Sequence, residues 1–299
     1  MRLTDPSITL IACGKDGLSE WDRIVIESLA PYVDMHSIHS YTGSADYYSN
    51  VLAPAQADRA LAITQALIDK ARYEQKIAHP IYVAYDEWNV WYRARGPVHR
   101  RTGIEEQYDL SDALAVAAYL NVFIRRCETV KLANLAQLVN AIGAIFTRPD
   151  ALFLQTIYHP VRLYAEHAQS VALDIHVDGP TYDALGDHET SPREHRVADL
   201  GPFQLLDATA TCDESASTLV LGVVNRDRDN SISATIELQD GRRATGGVAY
   251  EVNGADPGVL NTFETPDAVS VRERHLGAAD CVTYAFPAHS VTVLRLDIG

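Results

Sequence analysis

The order of apolar and polar residues divides the chain into two regions with different periodicities. Up to about residue 169, short runs rich in β-branched or aromatic residues alternate with longer segments of helical periodicity. That alternation is typical of βα units around a parallel sheet. From about residue 170 onwards, short runs with a period of two are separated by Gly, Pro, Asn and Asp. This second pattern is typical of an all-β sandwich.

The first region, residues 1–169, contains four predicted βα units. Each strand is a mostly apolar run, as expected for a parallel strand covered on both faces, and a helical pattern follows it. The predicted strands are 8–13, 33–39, 81–85 and 129–133, and the predicted helices are 20–29, 55–75, 112–126 behind the capping candidate Ser111, and 154–167. Four such units are half of a (β/α)₈ TIM barrel. We therefore expect half a barrel in this region.

The second region, residues 170–299, predicts a β-sandwich of the jelly-roll kind. Its short strands are separated by turn residues at close intervals, as in other double-sheet folds. The predicted strands are 170–177, 205–211, 217–225, 231–238, 247–252, 269–274, 281–286 and 291–296. Residues 182–200 are predicted to form a long connecting loop. The whole chain is thus expected to combine an α/β domain with an all-β domain.

The composition narrows the class of protein. The chain carries 40 acidic and 25 basic side chains, a formal net charge of −15, and this disfavours binding to nucleic-acid phosphates. Its one basic stretch lies at residues 93–101. No apolar run approaches the roughly 20 residues that a membrane span needs. Four scattered cysteines indicate free thiols in a reducing compartment, so we expect a cytoplasmic protein without nucleic-acid or membrane partners.

The third predicted strand ends in two acids followed by aromatic residues, in the string Asp-Glu-Trp-Asn-Val-Trp-Tyr at 86–92. Acids at the C-terminal end of a barrel strand lie where such enzymes carry out chemistry. A period of two places Glu87 on the same side as Tyr85, whereas Asp86 points the other way. A carboxylate beside aromatic surface is what a glycosidase needs against an anomeric carbon. We therefore predict Glu87 as the catalytic carboxylate, and Asp86 as an exposed acidic residue in a turn.

This string resembles the nucleophile motif of the family 51 glycoside hydrolases, whose main members are α-L-arabinofuranosidases. The resemblance implies that Glu87 attacks the anomeric carbon of the sugar. It continues in order along nearly the whole chain, at residues 5–8, 13–14, 21–22, 33–41, 130–140, 155–158 and 261–264. It implies a retaining α-L-arabinofuranosidase that removes terminal non-reducing arabinofuranosides from arabinan or arabinoxylan oligosaccharides.

The resemblance also assigns residues that bind the sugar. His39 and Tyr41 match the segment that lines the arabinose subsite, and they share one face of a strand. Trp91 matches an apolar wall, and Gln137 matches an amide that hydrogen-bonds the sugar. On the residues alone, His39 and Trp91 are also compatible with core side chains. No metal or organic cofactor is implied, and His36 and His39 lie on opposite strand faces, which argues against a metal pair.

A retaining glycosidase uses a second carboxyl group, roughly 5 Å from the nucleophile, as its acid and base. In family 51 this glutamate follows an asparagine upstream of the segment that matches residues 5–8, and the present sequence contains no Asn-Glu pair. The resemblance therefore predicts the C-terminal portion of an enzyme, without the acid/base and the upstream sugar-binding Arg and Asn, and with little activity alone. The loop at 93–107 is expected to be shorter than in the family, which affects aglycone contacts.

Three alternatives stay open at this point. The chain could come from an endoglucanase of the same family. It could be a non-catalytic fragment that binds carbohydrate or oligomerises through its sandwich. Two half-barrels could also pair, because exposed parallel edges favour association. The resemblance itself implies a homo-oligomer.

Overall fold

The computed structural model describes residues 1–91, 104–183, 189–190, 195–279 and 281–299. The chain forms two compact units, each assembled from separate segments. Unit 1 comprises Met1–Tyr41, Gln56–Asn89 and Arg126–Ala136, and unit 2 comprises Thr42–Ala55, Val90–Arg125 and Gln137–Gly299. The boundary predicted between residues 169 and 170 is a linear division of the chain, whereas these units are not linear segments, so that boundary stays a prediction.

A sheet of four strands forms the centre of unit 1. The strands are β1 (Ile11–Cys13), β2 (Met35–Thr42), β3 (Tyr82–Val90) and β4 (Val130–Leu135), hydrogen-bonded in the order β1-β2-β3-β4. The pairs β1–β2 and β3–β4 are both parallel. All four strands were predicted, although β2 and β3 continue three and five residues further than the apolar runs. The prediction that these strands form half of a TIM barrel stays a prediction.

The described residues contain five α-helices. They are α1 (Glu20–Leu29), α2 (Tyr47–Leu52), α3 (Ala55–Gln75), α4 (Leu110–Arg125) and α5 (Tyr158–His167). The predicted bounds of α1 and α3 are confirmed to the residue. None of the five is long and apolar enough to span a membrane.

Two predicted helix starts are wrong. Helix α4 begins before Ser111, because Asp109 and Asp112 cap it: the Asp109 carboxylate accepts from the Asp112 N–H at 3.2 Å, and the Asp112 carboxylate accepts from the Asp109 N–H at 2.9 Å. This reciprocal arrangement satisfies N–H groups that a helix start leaves unpaired. Helix α5 begins four residues later than predicted, because Ala151–Leu154 forms a strand with Ile145–Arg148.

Unit 2 contains the remaining strands, which pair antiparallel. They are β5 (Ile145–Arg148), β6 (Ala151–Leu154), β7 (Val171–Leu173), β8 (Thr181–Tyr182), β9 (Glu189–Thr190), β10 (His195–Arg196), β11 (Phe203–Gln204), β12 (Leu206–Cys212), β13 (Thr218–Asn225), β14 (Ile232–Ile236), β15 (Ala244–Asn253), β16 (Ser270–Leu276), β17 (Val282–Phe286) and β18 (Ser290–Ile298). Each strand predicted beyond residue 170 has a counterpart, the first being shorter than expected. The predicted loop at 182–200 contains β9, β10 and a 3₁₀ turn (Ala198–Leu200) in its described parts.

A six-stranded sheet has the order β16-β15-β18-β13-β12-β7, and its central strands are packed on both faces. Successive side chains of a strand point to opposite faces, and β13 shows the result. Val220 and Val224 pack in a core with residues of α2, α4 and α5. Leu219 and Leu221 pack in a second core with Tyr284 and other residues of the two-stranded sheet β14-β17. Unit 2 is thus mostly β, with helices over one face of its larger sheet and a second sheet over the other.

Candidate active site

Two neighbouring strands of unit 1 carry the predicted chemistry. His39 and Tyr41 lie in the second half of β2, and Asp86 and Glu87 lie in the second half of β3. Because β2 and β3 are adjacent in the sheet, their side chains meet. We call this group, with Ser37, the strand-end cluster.

Glu87 is held by one hydroxyl group and approached by one imidazole. The Tyr41 hydroxyl donates a hydrogen bond to Glu87 Oε1. His39 Nδ1 lies 3.8 Å from Glu87 Oε2, which is too long for a hydrogen bond. The Glu87 side chain is 46% exposed, so its carboxylate is within reach of a dissolved ligand. The structure thus brings together three of the five residues predicted for the site.

Asp86 belongs to the same cluster, and its predicted orientation away from Glu87 is wrong. Its Oδ1 accepts a hydrogen bond from Ser37 Oγ at 2.6 Å and lies 3.1 Å from His39 Nε2. The imidazole that contacts Asp86 therefore faces Glu87 with its other nitrogen. The pairing of β3 with β4 is irregular between Tyr85 and Trp88, and such an irregularity disturbs the strict alternation of side chains that the prediction assumed.

Ser37 is the cluster residue that the sequence analysis missed. Its hydroxyl lies 3.0 Å from His39 Nε2 as well as 2.6 Å from Asp86 Oδ1. Ser37, His39 and Tyr41 are two residues apart along β2, so they share a face. The alternation Ser-x-His-x-Tyr was therefore a signal in the sequence that could have identified Ser37.

His36 lies on the other side of β2 and has a different partner. Its Nε2 donates to Asp22 Oδ1 at 2.9 Å, and both side chains are buried. Asp22, in the first turn of α1, also accepts hydrogen bonds from the backbone of Lys15 and Gly17, so it fastens the segment that joins β1 to α1. Burial acts to raise the pKa of Asp22, but hydrogen bonds from His36, Ser19 and the Lys15 backbone outweigh it and hold the pKa well below its ordinary value.

Trp91 and Gln137, the other two predicted sugar-binding residues, belong to unit 2. The backbone N–H of Trp91 donates to the Thr42 carbonyl at 2.6 Å, and the Trp91 side chain is half-buried. Gln137 follows the end of β4 and is exposed. Their contacts with a sugar stay predictions. Most of the loop at 93–107, and the basic stretch at 93–101, lie outside the described residues.

The carboxylates of the strand-end cluster have hydroxyl and imidazole partners. Within the described ranges, no lysine or arginine forms an ion pair with Asp86 or Glu87, and no group of three or more His, Cys, Asp and Glu side chains is suited to a metal ion. A guanidinium would neutralise much of a carboxylate's charge, whereas a tyrosine hydroxyl orients the carboxylate and leaves it negative. The geometry therefore suits Glu87 for nucleophilic attack.

A separate cleft of about 470 Å³ lies within unit 2, between the six-stranded sheet and the sheet β14-β17. The walls are mostly aliphatic, and among the described lining residues Phe286 is the one Phe, Tyr or Trp side chain. Sugar sites combine aromatic faces with convergent polar groups. The strand-end cluster is therefore the better candidate for a carbohydrate site.

Comparison with known proteins identifies the family of the chain. A family model described as the α-L-arabinofuranosidase C-terminal domain matches residues 86–290. The chain belongs to the α-L-arabinofuranosidase family. This confirms the resemblance found in the sequence.

Curated and structural relatives place it among the family 51 members. A probable α-L-arabinofuranosidase C from Aspergillus clavatus is 37% identical over 312 residues, which cover 99% of this chain and 58% of the relative. An intracellular exo-α-(1→5)-L-arabinofuranosidase from Halalkalibacterium halodurans is 28% identical over 80% of this chain and 48% of its own length. The GH51 α-L-arabinofuranosidase from Thermotoga petrophila is structurally similar, with a TM-score of 0.84, 29% identity, and coverage of 99% of this chain and 59% of that chain. The chain thus spans just under three fifths of the Aspergillus clavatus and Thermotoga petrophila relatives.

Proposed function

We propose that this chain supplies the nucleophile of a retaining α-L-arabinofuranosidase, and that Glu87 is that nucleophile. The substrates are terminal non-reducing α-L-arabinofuranosides of arabinan or arabinoxylan oligosaccharides. The observation that carries the proposal is the Glu87 carboxylate itself, which is accessible, oriented by Tyr41 through Oε1, and without a lysine or arginine partner among the described residues. Membership of the α-L-arabinofuranosidase family supports the substrate class.

The proposed reaction begins with attack of Glu87 Oε2 on the anomeric carbon. A carboxylate–sugar ester bond forms while the glycosidic bond breaks, and the leaving oxygen takes the bonding pair. The Tyr41 hydroxyl holds Oε1, so the plane of the carboxylate is set before the sugar arrives. Water then hydrolyses the ester and releases arabinose and the free carboxylate.

Protonation of the leaving oxygen by a second carboxylic acid contributes about 10² to 10⁴-fold in rate. Asp86 is not assigned this role, because its Oδ1 already accepts a hydrogen bond from Ser37 and contacts His39. In the proposed enzyme, the sugar subsite is shaped by His39, Trp91 and Gln137. The reaction uses no metal or organic cofactor. The enzyme acts in the cytoplasm and is a homo-oligomer.

Covalent trapping tests the proposal on this chain directly. The probe is 2-deoxy-2-fluoro-α-L-arabinofuranoside with a dinitrophenolate leaving group, which departs without protonation, while the fluorine slows hydrolysis of the ester. We expect intact-protein mass spectrometry to show one added sugar per chain, and peptide mapping to place it on Glu87. Glu87→Gln should take up none.

Two controls make the result specific. Glu74→Gln makes the same chemical change at a carboxylate of α3 whose side chain is 53% exposed, and it should be labelled like the wild type. The corresponding α-L-arabinopyranoside should not react. A wild-type chain that stays unlabelled, or a label on Glu87→Gln, would overturn the proposal. Reaction with an activated cello-oligosaccharide donor instead would favour an endoglucanase, and reversible binding without an adduct would favour a non-catalytic binding fragment.

A further inference from the structure

We propose that Asp86 is a positioning residue that selects the tautomer of His39, so that this imidazole does not donate a hydrogen bond to Glu87. The inference rests on the proposed function of Glu87 as nucleophile. It starts from one imidazole between two neighbouring acids: His39 Nε2 lies 3.1 Å from Asp86 Oδ1, and His39 Nδ1 lies 3.8 Å from Glu87 Oε2.

The hydrogen-bond partners decide where the proton of His39 resides. An ionised carboxylate only accepts hydrogen bonds, so the contact between His39 Nε2 and Asp86 requires an N–H on Nε2. Ser37 does not compete for the same role, because its hydroxyl proton is donated to Asp86 Oδ1 at 2.6 Å. A neutral imidazole carries a single N–H. The Nδ1 atom is therefore left with a lone pair.

That lone pair faces the reactive carboxylate. Two acceptors do not attract each other, and the 3.8 Å between His39 Nδ1 and Glu87 Oε2 exceeds hydrogen-bond length. In the opposite tautomer, Nδ1–H would donate to Oε2 and withdraw electron density from the oxygen that attacks the sugar. Asp86, acting through His39, thus keeps Oε2 nucleophilic while Tyr41 holds Oε1.

Different substitutions of Asp86 separate this role from a general structural one. Asp86→Asn keeps an oxygen where Ser37 and His39 both need an acceptor, so the tautomer should be retained. Asp86→Ala removes the acceptor. The Ser37 hydroxyl, 3.0 Å from His39 Nε2, can then donate to Nε2 as well as accept from it. The Glu87 carboxylate, which faces Nδ1, is then the one charged acceptor at the ring among the described residues, so the ring proton moves to Nδ1.

Nitrogen-15 NMR of the histidine-labelled chain reads the tautomer without any sugar. Spectra are recorded about two pH units above the ordinary histidine pKa of about 6.5, and His39→Gln assigns the signals. We expect a protonated Nε2 and an unprotonated Nδ1 in the wild type and in Asp86→Asn, and the reverse in Asp86→Ala. His36, bonded to Asp22 in the same unit, should keep its shifts in every folded variant and serves as the internal control.

The trapping rate of Glu87 tests the consequence. With the fluorinated arabinofuranosyl donor, Asp86→Ala should be labelled at least about tenfold more slowly, since a misdirected hydrogen bond weakens the nucleophile. Asp86→Asn should stay within about threefold of the wild type. Asp69→Asn removes a carboxylate that is 58% exposed on α3, and its labelling rate should be that of the wild type.

Each outcome supports or overturns the inference. An Nδ1–H tautomer in the wild type overturns it even if Asp86→Ala fails to fold. An unchanged tautomer in folded Asp86→Ala overturns the role of Asp86. A reversed tautomer with an unchanged labelling rate overturns the positioning of Glu87 while the proposed function stands. If the wild type is not labelled at all, the proposed function fails, and the NMR result stands separately as a statement about His39.

Discussion

Two carboxylate clusters in this molecule have opposite surroundings. In the strand-end cluster of unit 1, Glu87 is almost half exposed and its hydrogen-bond donor is a tyrosine. In unit 2, Asp207 is buried between two arginines, at 3.1 Å from Arg125 and 2.9 Å from Arg226. We call the second group the buried-ion cluster; its members are Asn121, Arg125, Tyr164, Asp207 and Arg226.

The difference shows what each carboxylate can do. Burial acts to raise the pKa of Asp207, but the charges of Arg226 and Arg125 outweigh it and lower the pKa below its ordinary value. Asn121 also donates to Asp207 at 2.9 Å. Asp207 thus has its hydrogen-bond and ion-pair partners within the protein. It connects α4 to β12, and its carboxylate is not accessible to a ligand. The Glu87 carboxylate has one oxygen oriented by Tyr41 and the other accessible to a ligand, which is the arrangement that a nucleophilic carboxylate requires.

The largest expected effect comes from the same chemical change made in both clusters. Asp207→Asn leaves the buried guanidinium group of Arg226 without its counter-charge and also removes the ion pair with the partly exposed Arg125. We therefore expect a loss of about 3–5 kcal/mol in the free energy of unfolding. Glu87→Gln should change that free energy by less than about 0.5 kcal/mol, because the side chain is partly solvated. Urea unfolding measures both, and hydrogen exchange in β12 and β13 locates the loss in unit 2. Equal losses in the two variants would contradict the comparison.

Asp22 sharpens the comparison because it is a buried carboxylate in unit 1. Asp22→Asn weakens hydrogen bonds to His36 and to the start of α1, and we expect a loss of about 2–3 kcal/mol at pH 7. We expect this loss of stability although Asp22 lies in the same unit as Glu87, because the Asp22 carboxylate is buried and the Glu87 carboxylate is partly exposed. Urea unfolding followed by far-UV circular dichroism provides the value, with Asp69→Asn as the exposed control. A loss no greater than that of the control would show that burial does not separate the two kinds of carboxylate.

The pH dependence of the same variant has a definite sign. The pKa of Asp22 is lower in the folded chain than its ordinary value of 3.8. The unfolded chain therefore binds the proton more readily, and the contribution of Asp22 is complete above the ordinary value and declines as the pH falls towards the folded value. The stability difference between the wild type and Asp22→Asn should be constant near neutral pH and shrink below about pH 4. Unfolding curves at pH 7, 5 and 3 test this, and a difference that grows on acidification would contradict it.

The smallest expected effects on the free energy of unfolding come from removing the hydroxyl groups of Tyr164 and Tyr41. Tyr164 donates to Asn121 Oδ1 at 2.6 Å inside the buried-ion cluster, so Tyr164→Phe leaves a buried acceptor unpaired and should cost about 1–2 kcal/mol. Tyr41→Phe should cost less than about 0.5 kcal/mol in stability but slow labelling of Glu87 by up to about 10²-fold, because the carboxylate loses its orientation. Thermal unfolding and the trapping assay measure the two effects. A larger stability loss for Tyr41→Phe than for Tyr164→Phe would reverse the comparison.

Much of the fold follows from local sequence patterns. The bounds of α1 and α3 were predictable to the residue, since an apolar stripe with a period of 3.6 and helix-ending residues act over a few positions. The four strands of the sheet in unit 1 and the eight strands predicted beyond residue 170 follow from equally local apolar patterns, with ends shifted where polar side chains continue a ladder. Strands β5, β6 and the two-residue strands β8 to β11 were not predicted. The string at 86–92 was enough to identify the family and to single out Glu87.

Interactions between distant segments were decided by the tertiary structure. The place of Asp86 beside His39 depends on an irregular pairing of β3 with β4, which the alternation of one strand does not reveal. Ser37 became part of the cluster because a neighbouring strand supplied its acceptor. Asp207 is a structural carboxylate because α4, more than 80 residues earlier, brings Asn121 to it. The sequence by itself determined most of the segments that form helices and strands, and it singled out Glu87 as the acid that we propose carries the chemistry, because those signals are local. Only packing decided the partners of each carboxylate, because burial and charge compensation depend on groups far apart in the chain.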